Sequence, residues 1–266
     1  MLRLTFGTLR SRFQTFTRNM TETITHQSPL CDGIPPFAVI VLNQPIPHKD
    51  TIFKHIWKTA SIRLCADGGT NRLHDTFAGT EDLHHYIPDY ITGDFDSLRP
   101  EVKEFYEKKG VIIQKNEDQD STDFTKCVNI IREKEKERSG ILYDIVGMGA
   151  IGGRFDQTMS SIQMLHVLKD ERKVYLISDD SSTFLLDKGK HKIICNRETE
   201  GPTCGLLPIG FEKTIISTEG LRWNLDHTVT EFGGLVSTSN ILDSDIIMVE
   251  TNKPIVWTVE LKNSNN

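Results

Sequence analysis

The sequence predicts an α/β protein in which an N-terminal, mostly parallel sheet with helices on both faces is followed by an all-β antiparallel sandwich domain. Two observations carry this. From residue 37 to about 178, apolar runs of strand length alternate with helical periods. Beyond about residue 180 the helical period fades into short β-type runs broken by Gly, Pro and Asn. With 266 residues, 37% of them apolar and 26% charged, the chain fits two modest domains with real cores. The expected division is a leader over 1–34, an α/β domain over 35–180 and a β-sandwich over 181–266.

Phe37 to Leu42 is an unbroken apolar run after Pro35-Pro36, as a strand buried on both faces requires. A helix over 51–60, a strand over Ile62–Ala66 and a helix over Asn71–Phe77 follow. Tyr90–Thr92 ends a strand that runs directly into Gly93-Asp94. Pro100–Lys109 is helical, with Pro at the first turn where its missing N–H costs little. Val111–Gln114 reads as a strand and Thr122–Arg138 as a helix whose charged end is a solvated face. Ile141–Val146, Phe155–Lys169 and Val174–Ser178 complete the alternation, a Rossmann-like pattern. Later β runs are expected at 191–195, 213–217, 228–237, 246–250 and 255–261.

The net charge of -6 offers no counterion-release footprint for a nucleic acid. No stretch is apolar enough to span a bilayer. Five scattered cysteines, odd in number and without a C-x-x-C pair, argue against a disulfide framework and a zinc site and fit a reducing, cytoplasmic setting. The first twenty residues differ from the rest. Arg3, Arg10, Arg12 and Arg18 occur before any acid, and Leu2, Phe6, Leu9, Phe13, Phe16 and Met20 draw one apolar helical stripe. Such a segment suits a mitochondrial targeting leader or an unstructured tail, and Met20 offers an internal start.

Ligands of open α/β sheets bind beyond the carboxyl ends of the strands. Acids fall at three such ends: Asp67 after Ile62–Ala66, Asp94 and Asp96 after Tyr90–Thr92, and Asp120 and Asp123 after Val111–Gln114. Carboxylates gathered at one rim repel one another unless a cation sits among them. Their hard oxygens suit Mg²⁺ together with substrate phosphates. Each acid or hydroxyl also has an ordinary role, since Ser121 or Thr122 could cap the following helix and Asp94 or Ser97 the helix near Pro100. Three acidic strand ends in one sheet exceed what capping requires.

Gly147-x-Gly149-x-x-Gly152 follows a strand and opens a helix, as a dinucleotide fingerprint does. The acid after the next strand, Asp179, lies 27 residues past Gly152, longer than the usual gap of about 20. The motif continues as Gly153-Arg154-Phe155-Asp156-Gln157, placing a guanidinium at a helix N-terminus where phosphate oxygens are favoured. No Walker A sequence occurs. A dinucleotide-binding regulator built on these glycines, and a nucleotide-sugar transferase using Asp94-Phe95-Asp96, remain open alternatives. In the second half, Trp223-Asn224 and Ser237-Thr238-Ser239-Asn240 stand out. A Trp in a β domain is commonly core, yet beside amides and hydroxyls it also suits stacking on a cationic heteroaromatic.

Taken in order, Asp67-Gly68-Gly69 with Asn71-Arg72, Gly93-Asp94-Phe95-Asp96-Ser97, Asp120-Ser121-Thr122-Asp123, Gly152 to Gln157, Trp223-Asn224 and Ser237 to Asn240 resemble thiamine pyrophosphokinase, in spacing the animal form. The resemblance covers roughly residues 36 to 262. It implies transfer of the β,γ-pyrophosphoryl group of ATP to the hydroxyethyl oxygen of thiamine, with release of AMP. It implies a β-sandwich that binds thiamine, and a homodimer with thiamine between subunits. Asp94, Asp96 and Asp123 would hold Mg²⁺ and the triphosphate, with Asp67 in the same cluster and Arg154 as a further catalytic group. Gly68, Gln119, Asp120, Thr122, Gly153, Asp156 and Gln157 would line the nucleotide site. Trp223 would stack on the aminopyrimidine, with Asn224, Ser237, Ser239 and Asn240 as polar contacts. Asp96 or Asp123 is the expected base. Many microbial members carry Lys-Asp where this chain has Gln119-Asp120, so a phosphate contact from that lysine is not expected here.

Overall fold

The computed structural model describes residues 22–31, 33–46, 49–138, 140–210 and 213–262; the amphipathic stripe at Leu2 to Met20 lies outside them. Fifteen strands and five α-helices are formed by the described residues. The first half contains β2 (Phe37–Val41), α1 (Lys54–Thr59), β3 (Ile62–Ala66), α2 (Gly69–Phe77), β4 (Tyr90–Gly93), α3 (Pro100–Lys108), β5 (Ile112–Lys115), α4 (Asp123–Glu137), β6 (Asp144–Met148), α5 (Phe155–Val167) and β7 (Val174–Ile177). β2, β3, β4, β5, β6 and β7 are parallel and adjacent in the order β7-β6-β2-β3-β4-β5. All five residues of β2 are buried, as its uninterrupted apolar run requires. α1, α2 and α3 bury Ile56, Leu73 and Tyr106 on one face of this sheet, whereas α4 and α5 bury Phe124, Val128, Ile131 and Leu165 on the other.

The second half is antiparallel, as expected, but the large sheet does not stop at residue 180. It continues through β8 (Ser181–Leu186), β15 (Ile255–Leu261), β10 (Glu200–Leu207) and β13 (Ser237–Ile241), giving ten strands in one sheet. A second sheet of five strands packs against that extension, in the order β1 (Thr23–Gln27), β9 (Gly189–Ile194), β14 (Ile246–Thr251), β11 (Thr214–Glu219) and β12 (Thr228–Thr230). Ile193, Ile216, Ile247 and Val249 meet Phe184, Leu186, Trp257 and Val259 in one continuous core. β1 lies inside the segment expected to be a leader. It pairs in parallel with β9, and its buried His26 contacts His191 at 2.9 Å.

The strand expected at 141–146 is displaced to 144–148 because Ile141 and Leu142 are about half exposed, while Asp144 to Met148 pair with both β2 and β7. This shift brings Gly149 directly after the strand. α4 is fastened to the sheet by charge as well as by packing. Arg172 Nη1 and Nη2 donate to Glu135 at 2.7 and 2.9 Å, Arg172 Nη1 also donates to the Tyr143 carbonyl, and the Tyr143 amide donates to Glu135 Oε1. The Arg172 side chain is 1% exposed. Removing one member of a buried, hydrogen-bonded pair strands the other in a poor dielectric. Arg172→Met is therefore expected to lose about 3–5 kcal/mol in denaturant unfolding. Exchange of both Arg172 and Glu135 for apolar residues should recover much of it.

Candidate active site

β2, β3, β4 and β6 end at one rim, where a cleft of about 440 Å³ opens. Its walls include Asp67 and Gly68 after β3, Asp94, Asp96 and Ser97 after β4, Thr122 and Asp123 at the start of α4, and Arg154 and Gln157 at the start of α5. These predicted residues come from connections far apart in sequence, and parallel pairing brings their strand ends together. One carboxylate oxygen from each of Asp67, Asp94 and Asp96 lies within 4.8 Å of the others.

Backbone geometry sets that spacing. Asp67 at φ 40° and Phe95 at φ 67° both adopt the left-handed region, uncommon outside glycine. Gly93 is required by contact: a Cβ there would come within 2.6 Å of the Asp67 Cβ. Asp67 is 3% exposed and accepts from the amides of Ser97 and Leu98, both at 3.2 Å, so it also closes the β4–α3 loop. Asn71 reinforces the loop, donating to the Ser97 carbonyl and accepting from the Arg99 amide.

The acids are electrostatically unequal. Burial pushes Asp67 up to about 6, with a hydrogen bond to Asp96 and the charge of Asp123 acting in the same direction. Asp94 is held below the usual carboxylate range, first by the Asp96 amide and also by the Gln119 amide group 3.3 Å away. Burial raises Asp123, opposed by Lys126, whose Nζ lies 3.2 Å from Asp123 Oδ1. A set of hard oxygens, one of them on a carboxylate whose ionisation is resisted first by burial and then by its acidic neighbours, fits a small divalent cation such as Mg²⁺.

Thr122 performs the capping role that its position allows, accepting from the Thr125 amide at 3.3 Å as the N-cap of α4. Asp94 and Ser97 do not cap α3, whose N-cap position is Arg99. Gln119 reaches the cluster through Asp94. Asp120 is exposed, and its amide donates to Asp118. Arg154 and Asp156 pair with each other, Nη2 to Oδ2 at 2.6 Å. Gly149 and Gly153, both at positive φ, let the loop pass against Gln44; a Cβ on Gly153 would meet Gln44 Nε2 at 2.3 Å. Asn43, Gln44, Arg72, Ser160 and Ser161 also face the cleft. The sequence reading assigned them no role, although Asn43 and Gln44 follow the central strand and so had to stand at this rim.

None of Trp223, Asn224, Ser237, Ser239 or Asn240 lines the acidic cleft. They form a separate unit. Trp223 is 58% exposed, and its backbone is gripped by the buried Asn240, which accepts from the Trp223 amide at 3.2 Å and donates to its carbonyl at 2.9 Å. Asn224 accepts from the Leu221 amide at 3.1 Å. Ser237 is buried, and Ser239 adopts φ 56° on β13. The side-chain oxygens of Asn224 and Asn240 thus hold the loop that presents an exposed indole.

Residues 53–176 match the thiamin pyrophosphokinase catalytic domain, and residues 190–256 match the thiamin pyrophosphokinase vitamin B1 binding domain. Thiamine pyrophosphokinase 1 of Oryza sativa subsp. japonica is 42% identical to this chain over 90% of its length and 92% of the rice protein. Yeast thiamin pyrophosphokinase superposes with a TM-score of 0.80 at 29% identity over 95% of each chain. The enzyme from Candida albicans gives 0.78 at 30% identity, covering 90% of this chain and 93% of that one. Across both halves and nearly all of its described length, the chain belongs to the thiamine pyrophosphokinase family.

Proposed function

We propose that this protein is an ATP-dependent pyrophosphotransferase that converts thiamine to thiamine diphosphate and releases AMP. The observation that carries the reading is the pairing of an acidic cleft of about 440 Å³ with a β half that matches a vitamin B1 binding domain. Neither the dinucleotide-regulator nor the sugar-transferase alternative accounts for that second half.

In this reading Asp94, Asp96 and Asp123 would hold Mg²⁺, with Asp67 in the same cluster. Bound there, the ion offsets negative charge on the triphosphate oxygens. The thiamine hydroxyl oxygen attacks the β-phosphorus, the bond from that phosphorus to the α,β-bridging oxygen breaks, and AMP leaves with the bridging oxygen. Asp96 or Asp123 accepts the hydroxyl proton. The chain's own contribution is mainly positioning, since transfer of this kind depends on in-line placement. Trp223 serves as the platform for thiamine, whose cationic and aromatic rings both favour an indole face. Because Trp223 stands outside the cleft of its own chain, we assign the complete site to a homodimer in which one subunit supplies the acids and its partner the indole. Cys65, Cys127, Cys195 and Cys204 are buried free thiols, which supports a reducing, cytoplasmic setting.

Incubation with ATP, Mg²⁺ and thiamine should yield AMP and thiamine diphosphate, and ADP as the nucleotide product would overturn the reaction. Asp96→Asn and Asp123→Asn should each reduce kcat on the order of 10²–10³-fold with the fold retained by circular dichroism. Trp223→Ala should raise the KM for thiamine roughly tenfold while leaving that for ATP unchanged. At low thiamine, mixing the Asp96→Asn and Trp223→Ala proteins should give more turnover than the two proteins separately if each intact site draws on two subunits; no excess after subunit exchange would place the site within one chain.

Asp67 sets a pH dependence. Its value in the fold, about 6, exceeds the ordinary 3.8, so the metal-free fold is favoured while Asp67 is protonated. That contribution is lost as pH rises through about 6. In EDTA, Asp67→Asn should therefore gain in Tm relative to wild type between pH 5 and pH 7.5. Mg²⁺ should stabilise the wild type more at the higher pH.

A further inference from the structure

Two guanidinium groups face the acidic cleft, and their partners differ. Arg154 is 74% exposed and gives its Nε–Nη2 edge to Asp156, Nη2 to Oδ2 at 2.6 Å and Nε to Oδ1 at 3.1 Å. Asp156 already offsets the charge of that guanidinium, so a phosphate meeting its remaining Nη1 edge gains less from it than from an unpaired cation. Arg72, the fourth residue of α2, has a different setting. Its Nε donates to Asn43 Oδ1 at 3.0 Å, a neutral acceptor. Among the described residues it forms no ion pair, although Asp67, Asp94, Asp96 and Asp123 line the same cleft. Its two Nη groups have no acceptor among the described residues.

Asn43 is itself held. It lies so close over Gly68 that a Cβ on that glycine would come within 2.4 Å of Asn43 Nδ2. The next residue of α2, read backwards, is Asn71, which ties the helix to the loop bearing Asp94 and Asp96 through the Ser97 carbonyl. Arg72 is therefore fixed at its Nε relative to the acids, with its Nη edge unengaged. The location is also where an open α/β sheet takes its ligand. β2 is flanked by β3 on one side and β6 on the other, so the chain winds away from β2 in both directions, and Asn43 lies just beyond β2 at that switch point.

We propose that Arg72, oriented by Asn43, is the residue that grips the polyphosphate of ATP, an assignment that rests on reading the cleft as the ATP site. A planar fork anchored at Nε presents two parallel N–H groups to phosphate oxygens, which a lysine cannot reproduce. Arg72 lines the same cleft as the carboxylates, so a triphosphate bound there meets a fixed cation as well as the acidic wall. Asn43 is a positioning residue: its amide oxygen touches Arg72, and it acts through that contact.

The test measures binding as well as turnover. By calorimetry with Mg²⁺ present, Arg72→Gln should weaken both ATP and inorganic tripolyphosphate roughly 10- to 100-fold, as loss of charge-assisted hydrogen bonds implies. The KM for ATP should rise in parallel, the KM for thiamine should not, and the Tm should stay near wild type. Arg72→Lys, which keeps the charge and loses the fork, should fall between. Asn43→Ala should produce a smaller loss in the same direction, and no further loss when combined with Arg72→Gln. Unchanged ATP and tripolyphosphate affinity in Arg72→Gln overturns the proposal, as does an equal rise in both KM values. Loss of tripolyphosphate binding in Arg154→Gln but not in Arg72→Gln would assign the grip to Arg154. Tripolyphosphate binding reads Arg72 whatever the acceptor substrate, so a failure to form thiamine diphosphate would count against the overall reaction and not against this residue.

Discussion

Repulsion among carboxylates is the constraint around which the catalytic half is built. Asp67, Asp94 and Asp96 bring oxygens within 4.8 Å of one another, and Asp123 approaches from α4. Left alone, such a group would splay apart or take up protons. The fold prevents splaying by spending backbone strain and hydrogen bonds on it. Asp67 and Phe95 adopt positive φ, Gly93 leaves room for the Asp67 side chain, and two loop amides hold the Asp67 carboxylate in place. What remains shows in the raised Asp67, where burial acts first and the neighbouring Asp96 and Asp123 add to it. Strain of this kind persists only where the surrounding structure over-determines it. Here six parallel strands and five flanking helices do so, with the Arg172–Glu135 pair locking α4 against the sheet at its far end.

The continuous ten-stranded sheet has a second consequence. Because β8, β15, β10 and β13 extend the same sheet that carries the acids, the two halves share hydrogen bonds and one core. A hinge between them would break β7–β8 pairing and expose Phe184 and Trp257. The tryptophan loop is thus held at a set position relative to the acidic rim, and closure of the halves within one chain is not how Trp223 would reach the phosphates. Rigid placement would suit the proposed homodimer, in which symmetry would supply a second cleft and a second indole through one interface.

Much of this was legible in the sequence because parallel strands buried on both faces must be apolar throughout. Phe37 to Val41 could hardly be anything else. The acids were legible for a related reason, since a charged residue immediately after such a strand must emerge at the rim. The edges and the irregular strands were not legible. β10 reads Glu-Gly-Pro-Thr-Cys-Gly-Leu-Leu, a breaker-rich string, and it forms a strand because its pairing with β15 is irregular between Glu200 and Cys204, where Pro202 falls. β1 is short and mostly polar, and only its pairing with β9 and the burial of His26 make it structure. The run expected over 228–237 is split because the Glu231 amide bonds to the Leu235 carbonyl and reverses the chain, leaving Phe232 exposed.

The two arginines show where sequence reasoning reaches its limit. Arg154 follows a glycine loop and opens a helix, the setting in which a phosphate ligand is expected from pattern alone. Asp156, two residues on, belongs to the same pattern, and only coordinates reveal that the two side chains satisfy each other. Arg72 belongs to the Asn71-Arg72 motif, but it sits within a helix without a glycine loop before it to suggest a phosphate, and its orientation depends on Asn43, 29 residues earlier. A guanidinium serves a phosphate best when it lines the site and its charge is not already paired, and both conditions are tertiary. The residue types in a motif therefore indicate which chemistry is possible at a rim, while the partners each side chain already has determine which member is available to perform it.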